Sequence, residues 1–158
     1  MPVFETSQTF GGGLKDVFDF LTRPASVLLA SSPELHLRLE EAPERLCLGA
    51  RVVVHGRRWG IPHRAVNEVT AFEPGSLFIE EQREGPFRRW VHTHRFEAVD
   101  GGVLVSDHID FDPPGGILGL TLTADRVLRD LEWVFAYRKT RLAELLAAPE
   151  TSPKRERG

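Results

Sequence analysis

The residues of this chain best suited to chemistry are two imidazoles and a carboxylate, His92, His94 and Asp107. A carboxylate at cross-strand distance fixes an imidazole's tautomer and raises its pKa, which serves acid/base catalysis and ligand orientation alike. A turn brings the three together. Asp100-Gly101 reads as a two-residue hairpin of type I′, which needs positive φ at both positions. Val99 then faces Gly102, and pairing back from there sets Phe96 against Val105, His94 against Asp107, His92 against Ile109 and Trp90 against Phe111. The alternate positions carry Arg89, Arg95, Glu97, His108 and Asp110, as a wet face does, so the first set points inward.

Three uses are open to that inward set: a satisfied polar pair in the core, the polar lining of a ligand pocket, or a dyad in which Asp107 orients His94 as general base. Glu80 and Gln82, in phase with Phe78 on the preceding strand, join the candidates, although Glu84-Gly85-Pro86 leaves their register open. His92-Thr93-His94 would need a third ligand, such as Asp107, to hold a metal; two imidazoles on one strand arise often by chance, so no metal and no cofactor is expected. Gly11-Gly12-Gly13 lacks the spacing and lysine of a phosphate loop, and no Gly-x-Ser-x-Gly or Cys/His nucleophile pattern occurs.

The element that must face this cluster is the last one. Residues 118–146 read as one helix about 43 Å long. Leu120, Ala124, Val127, Leu128, Leu131, Val134, Phe135, Leu142 and Leu145 fall on one stripe, with Asp125, Arg126, Arg129 and Glu132 opposite. Two residues break the pattern. Arg138 lies within the stripe, as a snorkelling stem or a cationic anchor at the closed end of a pocket. Trp133 lies opposite, as a half-covered surface aromatic or a subunit contact.

A rod this long needs a broad, curved cover, and the preceding chain supplies strands. Val3–Phe10 alternates, two short helices follow through Leu14–Leu21 and Leu28-Leu29, and Pro24 suits the start of the second. Six further strands are predicted: Leu35–Glu40, Ala50–Trp59, His63–Phe72, Leu77–Arg83, Phe87–Ala98 and Val103–Phe111. Their short connections imply an antiparallel meander. The expected architecture is α+β: a curved, roughly seven-stranded antiparallel sheet wrapped around a long C-terminal helix, with two short helices after the first strand. Gly115, Gly116 and Gly119 give the last connection the freedom to act as a gate. Residues 1–146 form one domain, and 147–158 read as a disordered polar tail.

Bulk properties exclude several classes. With 158 residues, 41% apolar and 27% charged, the chain reads as one soluble globular domain. A net charge of −3 argues against nucleic acid or an anionic membrane surface as partner. Cys47 is the single cysteine, so no intrachain disulfide is possible. The start Met1-Pro2-Val3-Phe4 carries no signal-peptide pattern and no stretch is long enough to insert in a membrane, so a cytoplasmic monomer or homodimer is expected.

The chain resembles the SRPBCC superfamily, the START-domain and birch-pollen-allergen type of helix-grip fold, which includes polyketide cyclases. The resemblance covers residues 1–146. It rests on the element order, on Pro2-Val3-Phe4-Glu5 and Val17-Phe18-Asp19-Phe20-Leu21-Thr22, and most on residues 84–96 (EGPFRRWVHTHRF) with 105–111 (VSDHIDF). Phe135-Ala136-Tyr137-Arg138 also fits bacterial members. The second helix departs from the pattern, lacking the tryptophan of many relatives, which implies a differently shaped entrance. The resemblance implies a deep cavity between sheet and last helix that takes hydrophobic or aromatic molecules. It supplies no catalytic set.

The resulting expectation is a non-catalytic carrier or sensor of a hydrophobic small molecule. Phe78, Trp90, Ile109, Phe111, Leu120, Val127, Leu131, Val134 and Phe135 would form its apolar wall; Glu80, Gln82, His92, His94, Asp107 and Arg138 would orient the ligand. The alternatives are a cyclase/dehydratase using His94 and Asp107, and a protein-interaction module of the Hsp90-activator type with a filled interior and an apolar patch near Trp133.

Overall fold

The computed structural model describes residues 2–147; the rest of the stretch expected to be a tail, from 148 onward, lies outside the described residues. Seven strands form one antiparallel sheet: β1 (Val3–Phe10), β2 (Arg38–Glu41), β3 (Arg51–Arg58), β4 (Ile61–Glu73), β5 (Leu77–Glu84), β6 (Arg89–Val99) and β7 (Gly102–Asp112). Their order is β1-β7-β6-β5-β4-β3-β2, a meander with the first strand closing against the last. Helices α1 (Leu14–Leu21) and α2 (Pro24–Leu29) follow β1, and α3 (Gly116–Thr121) and α4 (Ala124–Leu145) end the described chain.

Helix α4 is 22 residues long and lies in the concavity of the sheet, with Val127, Leu131, Phe135 and Leu142 buried. Its face divides the core in two. Leu142 joins Phe10, Val17, Phe18, Phe78 and Phe96 at one end. Val127, Leu131 and Phe135 join Phe4, Ile109, Phe111 and Leu122 at the other. Burial of these large side chains, each worth about 1.5–3 kcal/mol, fixes the rod against the sheet.

Three expectations need correction. The last helix is two helices, because Thr123 is extended and its hydroxyl accepts from the Arg126 N–H as an N-cap. Leu122, just outside the cap, is buried in one cluster with Val127, the packing of a hydrophobic staple. The break re-phases what precedes it, so Leu120 is 80% exposed on α3 rather than on the inner stripe. The strand expected from Leu35 begins only at Arg38: Ser32 caps a 3-10 turn over Pro33–Leu35, and His36 closes it with φ 48°. Local turn chemistry prevailed there over alternation.

The third correction concerns turns. Asp100-Gly101 joins β6 to β7 with Val99 opposite Gly102 as expected, yet Gly101 alone has positive φ, so the turn is not type I′. Positive φ at both central positions occurs instead at Trp59-Gly60, between the paired residues Arg58 and Ile61. A tryptophan at φ 55° is a strained choice. The β3–β4 arm that carries it overhangs its neighbour, since β5 pairs with β4 only from Val66 onward. Pro62 sits in that overhang, where no β5 partner asks for its missing N–H.

Candidate functional site

The β6–β7 register matches the sequence-based one at every inward pair: Trp90 with Phe111, His92 with Ile109, His94 with Asp107, Phe96 with Val105. The β5 register is the new fact. Glu80 faces His92 and Phe78 faces His94. Each acid therefore lies directly opposite one histidine, and each bonds diagonally to the other. His92 Nε2 donates to Asp107 Oδ1 at 2.7 Å, and His94 Nε2 meets Glu80 Oε2 at 3.2 Å. His94 Nδ1 is 3.0 Å from that same Asp107 oxygen but out of line with it, so it makes no aligned hydrogen bond. The expected pairing of Asp107 with His94 is thus close in space, while the well-formed bond belongs to His92.

Stacking completes the cluster. The His94 ring lies between Phe78, 4.1 Å away at 14°, and His92, 3.7 Å away at 26°. Phe135 meets His92 edge-on at 6.0 Å, and the Arg138 guanidinium lies 5.3 Å over the Phe135 ring. His92, His94 and Asp107 are all buried.

Burial and pairing set the charges. Burial pushes His92 down, the charge of His94 adds to that, and the Asp107 bond does not compensate, leaving a pKa of about 4 and a neutral ring at pH 7. Burial also opposes charge on His94, but the Asp107 and Glu80 carboxylates outweigh it and hold its pKa above the ordinary 6.5. Burial raises Asp107, yet the two histidines hold it well below the usual carboxylate range. Glu80 is lowered in the same way, against burial, by His94, His92 and Arg138. Since Asp107 can only accept, His92 carries its proton on Nε2 and keeps a free lone pair on Nδ1.

One chamber adjoins the cluster and a second lies beyond it. The polar one, about 160 Å³, is lined by Phe78, Glu80, His92, His94 and Arg138 from the sheet and α4, and by Leu21, Pro24, Val27 and Leu28 from α1 and α2. The apolar one, about 270 Å³, lies under the first half of α4 and is lined by Gln82, Trp90, Leu131 and Val134 together with Leu35, Leu37, Val54, Trp59, Ala65 and Phe87. Leu37 and Val54 line both, so the chambers adjoin across these two side chains. Asp107, Phe135 and Arg138 border a further gap of about 10 Å³.

Of the expected wall, Ile109, Phe111 and Val127 are buried in the core and line neither chamber. Leu120 faces outward. The sequence reading missed Leu35 and Leu37, which the 3-10 turn redirects inward, and the whole β3–β4 arm. At the rim of the apolar chamber Arg58 pairs with Asp130 of α4, and its guanidinium stacks 4.3 Å over Trp133. That stacking answers Trp133 within the chain, leaving the ring 38% exposed. Arg58 and Asp130 carried no signal, because opposite charges this far apart in sequence predict nothing until the fold joins them.

Glu80, His92 and His94 each offer a ligand atom within 4.8 Å of the others, a donor set that suits a transition-metal ion. The third ligand is thus Glu80 rather than Asp107. Asp107 on the far nitrogen of His92 has the place of an outer carboxylate. Opposing a cation are Arg138, which lines the same chamber, and the protons these atoms already share.

No protein-family model matches the chain, and no curated protein does. Solved structures do. Protein CV1439 from Chromobacterium violaceum superposes with a TM-score of 0.73 at 10% identity, over 94% of this chain and 99% of that one. Ginseng major latex-like protein 151 from Panax ginseng gives 0.68 at 12%, over 92% and 97%. Ara h 8.0201 gives 0.64 at 14%, over 91% and 96%. With the curved seven-stranded sheet and the C-terminal helix in its grip, these likenesses establish that the chain has the helix-grip fold.

Proposed function

We propose that this chain binds an apolar or aromatic small molecule between sheet and α4, as a carrier or sensor that leaves it unchanged. The observation that carries this reading is the apolar chamber. An open cleft of about 270 Å³ walled by Trp59, Phe87, Trp90, Leu131 and Val134 offers an apolar body a place to leave water. The helix-grip fold of the neighbours supports it, as does the cluster at the adjoining end. Among the described residues no helix is long and apolar enough to cross a membrane. Native mass spectrometry and thermal-shift screening of the purified chain with apolar compounds test the reading. At least one compound raises Tm, and Ala65→Phe, which fills the chamber from β4, abolishes the shift while the fold persists. If no compound shifts the native protein, or the filled variant responds equally, the reading fails.

A second reading, a cyclase/dehydratase, draws on the 2.7 Å bond between His92 and Asp107. His92 Nδ1, unprotonated at neutral pH, would be the general base, in place of the His94 of the sequence reading. Its low pKa makes it a weak base, which favours orientation over proton abstraction. Turnover of a polyketide-like substrate that disappears in His92→Ala would establish this role, and turnover that survives would end it.

A further inference from the structure

Arg138 lies on the buried side of α4, about one turn from both Phe135 and Leu142, and its side chain lines the polar chamber with Glu80, His92 and His94. Two carboxylates border the spaces it lines, and neither pairs with it. Asp107, across the small gap beside the chamber, is engaged by His92 at 2.7 Å and approached by His94 at 3.0 Å. Glu80, inside the chamber, meets His94 at 3.2 Å. These contacts stand whichever ring nitrogens carry the protons. The Ser31 hydroxyl in the same lining donates to the Val27 carbonyl. Among the described residues the Arg138 guanidinium forms no hydrogen bond and no ion pair, and lies 5.3 Å over the Phe135 ring.

A guanidinium stays charged in proteins and offers five N–H donors in a flat fork. The other side chains around this one include Leu21, Val27, Leu28, Leu39 and Phe78. An apolar molecule entering the chamber strips water from the fork, and donors covered without an acceptor are costly. The head group of the molecule decides whether that cost is met. A carboxylate accepts two parallel, charge-assisted N–H bonds from the fork, and a carbonyl oxygen accepts one. A hydrocarbon accepts none. An ammonium also accepts none, and sets a second positive charge beside the first.

We propose that Arg138 anchors the ligand, and that the ligand is an apolar compound ending in a carbonyl-type oxygen, a carboxylate or a ketone, which accepts from the guanidinium. Its body extends past Leu37 and Val54, which wall both chambers, toward the larger apolar one. The proposal rests on the binding role argued above and adds the chemical class of the ligand and the residue that selects it.

Four probes with one ring system decide both: naphthalene, acetonaphthone, naphthoic acid and naphthylmethylamine, each titrated calorimetrically with the full chain at neutral pH. The ketone or the acid binds at least about tenfold tighter than naphthalene and the amine, a difference of about 1.4 kcal/mol. A tighter acid assigns the head group to a carboxylate and a tighter ketone to a neutral carbonyl, and either supports the anchor. Naphthalene or the amine binding as tightly as both oxygenated probes overturns the anchor while leaving the binding role intact. Failure of all four overturns the binding role itself, and the proposal with it. Arg138→Met keeps an apolar stem and removes the fork. In this variant, its fold checked by circular dichroism, the advantage of the oxygenated probes over naphthalene disappears; an advantage that persists overturns the anchor. Should the variant not fold, the probe series in the native chain decides alone.

Discussion

The two chambers under α4 are built by different means. The polar one is made from the middle of the sheet, where β5, β6 and β7 pair in fixed register and each acid reaches diagonally to a histidine. Its geometry is set by backbone hydrogen bonds, and its side chains hold one another. The apolar chamber is made from an arm that overhangs the sheet, turned at a strained Trp59 and tied to α4 by Arg58 with Asp130 and Trp133. The difference teaches where rigidity and opening belong. Rigidity belongs to the end whose side chains hold one another, and opening to the arm tied to α4 by an ion pair and a stacking contact. In the connection where a gate was expected, Gly116 has φ 62° and a side chain at Gly119 would run into the Pro114 carbonyl.

The contrast breaks most readily at Asp107. Asp107→Ala leaves two buried imidazoles without their shared carboxylate and is expected to cost about 3–5 kcal/mol in urea denaturation. A loss below about 1 kcal/mol would show that the polar end is not self-supporting.

Next in size is the dependence of stability on pH. His92 has a folded pKa of about 4, below its ordinary 6.5, so the unfolded chain binds the extra proton first and stability falls as pH drops from about 6.5 to 4, by on the order of 3 kcal/mol. Asp107 is also lowered, so its contribution is present above its ordinary pKa and is lost as pH falls further. His94 is raised, so its contribution is full below 6.5 and disappears as pH rises through its folded pKa. A dome-shaped curve results. His92→Phe flattens its limb between pH 6.5 and 4, and His94→Phe its alkaline limb; limbs unchanged in both variants would remove the charge assignment.

At the other end Arg58→Ala costs only about 1 kcal/mol, since the pair is partly exposed. It accelerates ligand dissociation in stopped-flow displacement; an unchanged rate would place admission elsewhere. The smallest effect is at Leu120, where Leu120→Ser changes Tm by less than the equivalent of about 0.5 kcal/mol because the side chain is 80% exposed. A large loss would restore it to a buried wall.

How much of this was legible in the sequence follows the range of the interactions. Alternation along β6 and β7 and a two-residue loop after Val99 were enough to align His94 with Asp107, even though the turn type was misread, because loop length alone sets register. The helical stripe from Ala124 onward was legible for the same local reason. Its extension back to Leu120 failed at Thr123, where one side-chain cap outweighs a continuing apolar pattern.

What the amino-acid order determined by itself was therefore the elements, the meander and the inward turn of two imidazoles and a carboxylate, all consequences of periodicities two to four residues long. Only the folded chain decided that Asp107 bonds to His92 rather than its opposite number, that Glu80 completes the cluster, that Arg138 comes to line the same chamber, and that Arg58 closes onto Asp130. Those choices depend on diagonal offsets between strands and on the distance from sheet to helix, lengths of a few ångströms that no spacing along the chain encodes.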